Sequence, residues 1–270
     1  MKFGGSVMRY TANCSILLTD LPLAERFQAV RRAGLTGVEL WWPFDRPDPG
    51  PNQIDALTAA LDQAGVELTG LNFDAGDMAQ GDRGLVSWPG QAERFRANVA
   101  AVGQIARATG CRCFNALYGL RQLGHSPAEQ DALALENLAW AARAVAEFGG
   151  TILIEPVSGA PDYPLQKAAD ALAVIDRVEA EQGLDNLGLL LDVYHLANNG
   201  DDVDAVIAAH HDRVAHVQIA DLPGRGAPGT GQAPLRRWLQ ALDQAGYDGA
   251  VGLEYVSPPG QDPFAWLAQD

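Results

Sequence analysis

The amino-acid sequence predicts an α/β fold, a single (β/α)8 TIM barrel, on three observations. Short apolar runs rich in Ile, Leu and Val alternate with stretches that are apolar at helical spacing, and eight such units follow one another with no tandem strands and no interdomain linker. Each unit takes roughly 25–40 residues, and the total near 250 matches an eightfold barrel. Third, four consecutive runs in the second half each end in a side chain able to bind a hard metal. They are Thr151-Ile-Leu-Ile-Glu155, Leu187-Gly-Leu-Leu-Leu-Asp192, Val214-Ala-His-Val-Gln218 and Val251-Gly-Leu-Glu254. A doubly wound open sheet also alternates strand and helix. Eight units, with polar residues collected at strand C-terminal ends where barrels build their sites, favour the barrel.

Taken in order, Arg9–Asn13 is the first strand, followed by a helix over Leu23–Ala33 that stops at Gly34. Gly37–Trp42 is the second strand, closed by Pro43, and a Pro-rich turn leads to a helix over Ile54–Ala64 ended by Gly65. Val66–Phe73 is the third strand. A long Gly- and Asp-rich loop (74–84) follows it, and Pro89-Gly90 opens a helix to Thr109. Cys111–Leu117 is the fourth strand. Ser126-Pro-Ala-Glu129 then places Pro at the first helical position and Glu at the third, a capping box for a helix to Phe148. Strands five to eight end at Glu155, Asp192, Gln218 and Glu254. Their helices fall over about 166–181, 202–211, 234–245 and 263–268. Residues 1–7 read as a polar extension with Met8 as the functional start, and 8–270 as the barrel.

Composition excludes several function classes. A formal net charge of −15 opposes nucleic-acid binding, which needs clustered Lys and Arg. The two lysines, Lys2 and Lys167, lie outside the strand-like runs, which argues against Schiff-base chemistry. Cys14, Cys111 and Cys113 are odd in number without a C-x-x-C pair, so neither a disulfide framework nor a structural zinc site is expected. No apolar run approaches the ~18 residues of a membrane span, and the N-terminus lacks the apolar core of a signal peptide. A cytoplasmic protein without membrane partners is expected, with homo-oligomerisation left open.

Strand side chains alternate in direction. Leu153 and Glu155, Leu190 and Asp192, His216 and Gln218, and Gly252 and Glu254 therefore share the inward face, while Ile154, Leu191, Val217 and Leu253 face the helices. All four strand-end groups can enter the barrel mouth together. The plainer alternative makes them helix caps or solvated rim residues, which explains one strand end well and four in succession poorly. Three carboxylates and an amide oxygen suit Mg²⁺ or Mn²⁺, whereas zinc is more often held by His or Cys. His195, on the following loop, can bind a substrate oxygen or orient a ligand, while His216 reads as a core or supporting residue. Gly224–Gly231 formally contains G-x-G-x-x-G, but Pro228 interrupts it and no nucleotide-binding half-domain surrounds it. In a barrel this loop can instead bring backbone N–H groups and Arg225 to an anion.

These residues resemble the hydroxypyruvate isomerase family of the xylose isomerase-like barrel superfamily. The resemblance runs from Tyr10 to Trp266. Its markers are Ala12-Asn13, Gly37-Val-Glu39, Asn72 with Ala75-Gly-Asp77, Gly81-Asp-Arg-Gly84, Pro89-Gly90 and Ile154-Glu-Pro156, with Asp192-Val-Tyr-His195, His216-Val-Gln-Ile-Ala-Asp221 and Arg225-Gly-Ala-Pro-Gly-Thr-Gly231. Sugar epimerase and endonuclease relatives commonly carry histidine where Gln218 stands. The resemblance implies interconversion of hydroxypyruvate and tartronate semialdehyde, with Glu155, Asp192, Gln218 and Glu254 as metal ligands and Glu155 and Glu254 also as the acid–base pair. It implies a small 2-oxo or hydroxy acid as partner, met by His195, Asn72, Arg225 and Arg121. Three positions depart from the family. Leu71 stands where a histidine is common, Leu120-Arg121 where others have Gly-Lys or Gly-Asn-Arg, and Gln232 where a glutamate is common. A four-carbon 2-oxo acid such as 2-oxo-tetronate fits the same chemistry. The competing expectations are a ketose 3-epimerase of the same superfamily and a non-catalytic sugar-acid-binding barrel.

Overall fold

In the computed structural model, which describes residues 8–268, eight parallel strands each pair with the next and the eighth pairs with the first, closing the barrel. The strands are β1 (Arg9–Asn13), β2 (Gly37–Leu40), β3 (Glu67–Asn72), β4 (Cys113–Asn115), β5 (Thr151–Ile154), β6 (Leu187–Asp192), β7 (Val214–Ile219) and β8 (Ala250–Leu253). The helices are α1 (Leu23–Arg32), α2 (Pro51–Ala64), α3 (Ala92–Thr109), α4 (Pro127–Ala146), α5 (Ala168–Gln182), α6 (Val193–Asn198), α7 (Val203–His210) and α8 (Leu235–Gln244). The extension expected over residues 1–7 lies outside the described residues.

Local signals in the sequence explain most boundaries. The α4 capping box forms: Glu129 N–H donates to Ser126 Oγ at 3.3 Å, and Ser126 N–H donates to Glu129 Oε2 at 2.8 Å. Gly65 ends α2 in the left-handed region at φ 67°, which a side chain would disfavour. One expectation needs correction. The sixth unit carries two helices, because Asp192 itself starts the short α6 before α7 follows. The short helix expected over 263–268 in the eighth unit is present as a 3₁₀ turn over Ala265–Ala268. The fourth strand's ladder is also shorter than expected, although Ala116 N–H still donates to the Leu153 carbonyl and keeps the chain in line.

Alternation sorts the strand residues as the sequence required. Ile154, Leu191, Val217 and Leu253 are fully buried in the apolar core against the helices, each worth roughly 1.5–3 kcal/mol relative to exposure. Glu39 takes the opposite face from Val38 and Leu40, both core members, and so lies inside the barrel. Room for it comes from glycine: a Cβ on Gly252 would sit 2.6 Å and 2.7 Å from the two Glu39 carboxylate oxygens. Among the described residues no helix is long and apolar enough to cross a membrane.

Candidate active site

Glu155 and Glu254 each stand one residue past a strand, on the loops after β5 and β8, and line a cavity of about 120 Å³ at the C-terminal mouth. Trp41, Asn72, Met78, Arg83, Leu117, Val157, Ser158, His195 and Arg225 complete its wall. Asp192 and Gln218 are register partners across β6 and β7.

The four strand-end groups share one pattern, in which one polar atom is held and the other is left without a hydrogen bond. Glu155 Oε2 accepts from Asn115 Nδ2 at 2.6 Å, leaving Oε1. Asp192 Oδ1 accepts the backbone N–H groups of Tyr194 and His195 at 2.8 and 3.1 Å, while its buried Oδ2 has no hydrogen-bond donor. Asp192 is thus both a helix cap and a candidate ligand, one oxygen for each role. Gln218 Nε2 donates to Glu39 Oε2 at 2.8 Å, which fixes the amide and leaves its buried Oε1 unpartnered. Glu254 Oε1 accepts from Trp41 Nε1 at 3.0 Å and Arg225 Nη2 at 2.9 Å, leaving Oε2.

Buried oxygens without donors are costly, and here they surround three carboxylates. Burial, then repulsion from Glu254 and Asp192, raises the Glu155 pKa well above its ordinary value. Burial, partly opposed by Arg225, pushes Glu254 up to about 7. A divalent cation would satisfy the free oxygens and relieve the repulsion, so the donor types fit a hard metal, with Glu155 and Asp192 already converging and Glu254 standing outside that cluster.

Glu155, Asp192 and His195 present ligand atoms all within 4.8 Å of one another. The proton on His195 separates its role from theirs. Ser158 N–H donates to His195 Nδ1 at 3.0 Å, so Nδ1 is the acceptor nitrogen. Burial pushes the ring's pKa down to about 4, which keeps it neutral at pH 7. Its proton then resides on Nε2, 3.8 Å from Glu155 Oε1 and 3.7 Å from Asp192 Oδ2. An N–H is a donor toward the cavity and not a metal ligand, which agrees with the substrate-facing role expected of His195.

Arg225 and Asn72 reach the cavity as expected, but Arg121 does not. The Arg121 guanidinium pairs with Asp131 at 2.8 Å and lines a separate groove between α4 and α5. The loop after β7 is also corrected. Its Gly229 and Gly231 N–H groups donate to Asp221 Oδ2, both at 2.9 Å, and are not offered to an anion. Asp221 organises that loop, and Arg225, at φ 56°, is its contribution to the cavity. The three departures from the family pattern lie outside the cavity wall, with Leu71 buried in the apolar core. His216 supports from below, its Nε2 2.8 Å from Glu39 Oε1. Cys14 is buried with its thiol pushed up to about 12, an inert packing group.

Sequence reasoning gave no role to Glu39, Trp41, Asn115, Ser158 or Arg83. Inward alternation between Val38 and Leu40 was the available signal for Glu39, and the strand-end position was the signal for Asn115.

The model of the xylose isomerase-like TIM barrel family matches residues 27–269. The putative hydroxypyruvate isomerase of Streptomyces coelicolor is 52% identical, over 98% of this chain and 97% of its own. The 2-oxo-tetronate isomerase of Cupriavidus necator is 32% identical over 96% and 97%. A solved structure described as an AP endonuclease, family 2, from Brucella melitensis superposes with a TM-score of 0.86 at 30% identity, covering 97% of this chain and 99% of that one. With isomerase-named relatives over nearly its whole length, this chain belongs to the xylose isomerase-like TIM barrel family and, within it, to the hydroxypyruvate isomerase family.

Proposed function

We propose that this enzyme interconverts hydroxypyruvate and tartronate semialdehyde, or the corresponding forms of a four-carbon acid such as 2-oxo-tetronate, with Mg²⁺ or Mn²⁺ bound. The observation that carries the reading is the set of four strand-end groups, each with one atom held and one free, of which Glu155 and Glu254 line a cavity of about 120 Å³ while Asp192 and Gln218 lie buried as register partners on β6 and β7. Glu155, Asp192, Gln218 and Glu254 would hold the cation through their free oxygens. The cation would supply Lewis-acid stabilisation of negative charge developing on neighbouring substrate oxygens.

The chain's own residues account for the proton movements. One of the buried glutamates removes a proton from the hydroxyl-bearing carbon, giving an enediol, and a proton is returned to the adjacent carbon. Burial pushes the pKa of Glu254 up to about 7 in the metal-free protein, and a bound cation would draw it back down and keep the carboxylate ionised, ready to accept a proton. His195 donates its Nε2 proton as a hydrogen bond to a substrate oxygen, its ring set by Ser158. Asn72, Leu117 and Val157 shape the wall around the substrate.

A ketose 3-epimerase would use the same chemistry on a longer, neutral sugar. The test is product analysis with Mg²⁺, Mn²⁺ or Co²⁺ on hydroxypyruvate, 2-oxo-tetronate, fructose and tagatose. Metal-dependent turnover of either acid, with little on the ketohexoses, is expected. Faster epimerisation of fructose or tagatose would overturn the reading.

A further inference from the structure

The cavity wall contains two guanidinium groups, and they differ in what already occupies them. Arg225 is committed to the carboxylates. Its Nε donates to the Glu254 carbonyl at 3.2 Å and its Nη2 to Glu254 Oε1 at 2.9 Å, with Asp192 Oδ2 3.9 Å away. The guanidinium also lies 5.4 Å from the Tyr194 ring centre. Arg83, on the loop between β3 and α3, is held only through Nη1, which donates to the carbonyls of Met78 at 3.2 Å and Asp82 at 2.7 Å. Among the described residues no carboxylate pairs with Arg83, and its Nε and Nη2 make no hydrogen bond.

The loop that carries Arg83 is built firmly. Buried Asp74 receives two hydrogen bonds from Arg94, at 2.7 and 3.1 Å, and its N–H donates to Asn98 Oδ1. Asp82 Oδ2 accepts the Asp77 N–H at 2.7 Å, and Asp77 in turn caps the short turn at Met78–Gln80. Gly84, at φ 113°, passes so close to the next loop that a Cβ would lie 1.9 Å from the Leu117 carbonyl oxygen. Only glycine fits there, and it sets the direction in which the preceding Arg83 leaves the chain.

Charge then decides what Arg83 is for. Glu254 and Asp192 face the Arg225 guanidinium, and with Glu155 they would hold the cation, so none of these carboxylates engages Arg83. A substrate carboxylate brings one further negative charge in among these carboxylates, where an unpaired ion is costly. A planar fork with free N–H groups matches that carboxylate in shape and sign. We propose that Arg83 is the specificity-determining residue that reads the substrate's carboxylate and selects short 2-oxo acids over neutral sugars. The inference rests on the isomerase reading above.

Calorimetric binding of hydroxypyruvate and 2-oxo-tetronate to the Mn²⁺-loaded protein, compared with steady-state kinetics, tests the two ideas separately. In Arg83→Met, Kd and KM for the acid are expected to rise roughly 10–100-fold, the value of a lost charge-assisted pair, with kcat changed only a few-fold. Arg83→Lys should recover part of the loss, and Mn²⁺ affinity should stay at the wild-type value in both variants. Wild-type acid affinity in Arg83→Met overturns the inference, as does loss of Mn²⁺ affinity alongside it, or failure of the wild type to bind either acid. Binding that depends on Arg83 without turnover would support this role and sink the isomerase reading instead.

Discussion

Strands β5 to β8 and the residues just past them carry Glu155, Asp192, Gln218 and Glu254, whereas β1 to β4 and the residues just past them carry Glu39, Trp41, Asn72 and Asn115, all on the inward side of the barrel with Trp41, Asn72, Glu155 and Glu254 lining the cavity. The first group keeps the free oxygens. The second group aims three of them: Asn115 holds Glu155, Glu39 holds Gln218 and Trp41 holds Glu254. Asp192 is aimed from within its own half, by the first N–H groups of α6. Reactivity and orientation are thus divided across the barrel. Closure of the sheet makes the division workable, because a holder and the group it holds can be more than 200 residues apart in sequence, as Trp41 and Glu254 are.

The largest expected effect comes from neutralising a reacting group. Glu155→Gln should lower kcat by ~10²–10⁴-fold, the range for losing an acid–base group, with a native circular dichroism spectrum. Stability should move in the opposite direction. The pKa of Glu155 is raised in the folded protein by burial and by repulsion from Glu254 and Asp192, so the fold holds more protons than the unfolded chain. The linkage sign follows: metal-free stability is full below the unfolded carboxylate value of ~4.3 and falls as pH rises through the folded value. At pH 8 without metal, Glu155→Gln should therefore melt a few degrees above wild type, and at pH 4 the two should converge. A variant that melts below wild type at pH 8 would mean that Glu155 supports the fold beyond its role at the site.

The same division explains what could be read from sequence alone. Eight units, their order and the acid half were legible, because a carboxylate closing a run of Leu, Ile and Val breaks a period-2 pattern visibly. Ser126 and Glu129 announced their capping box through spacing. The holders were not legible as such. Asn115 and Trp41 are ordinary residues whose meaning depends on partners 40 and 213 positions away, and only the closed register supplies those partners. Arg121 misled as well. The family resemblance implied a substrate contact at Arg121, and nothing in the spacing announced that Asp131, ten residues on, holds it instead.

Glu39 tests the orienting half, with a smaller expected effect. A carboxylate only accepts hydrogen bonds, so it draws Gln218 Nε2 toward itself and leaves Oε1 as the free atom. In Glu39→Gln the new amide can donate or accept, and Gln218 loses its unique orientation. Metal affinity should fall by ~10–100-fold, as is usual when an outer partner of a ligand is lost, and Mn²⁺ titration into metal-free protein measures it directly. If Kd stays within about twofold of wild type, His216 and packing alone orient Gln218, and the division of labour shrinks to Trp41 and Asn115.

The smallest effect is expected where the sequence pointed to the cavity and the structure does not. Arg121 pairs with Asp131 at a part-exposed site, and such pairs contribute about 0–1 kcal/mol. Arg121→Ala should therefore leave KM and kcat within about twofold and lower the melting temperature by no more than a few degrees. Tyr118 sharpens the test, because its hydroxyl donates to the same Asp131 carboxylate oxygen at 2.7 Å and stays in place when Arg121 is removed. A tenfold rise in KM for the acid would show that the loop after β4 swings its guanidinium into the mouth when substrate binds. The fourth strand would then supply a substrate contact as well as the Asn115 holder, and the boundary between the two halves would have to be redrawn there.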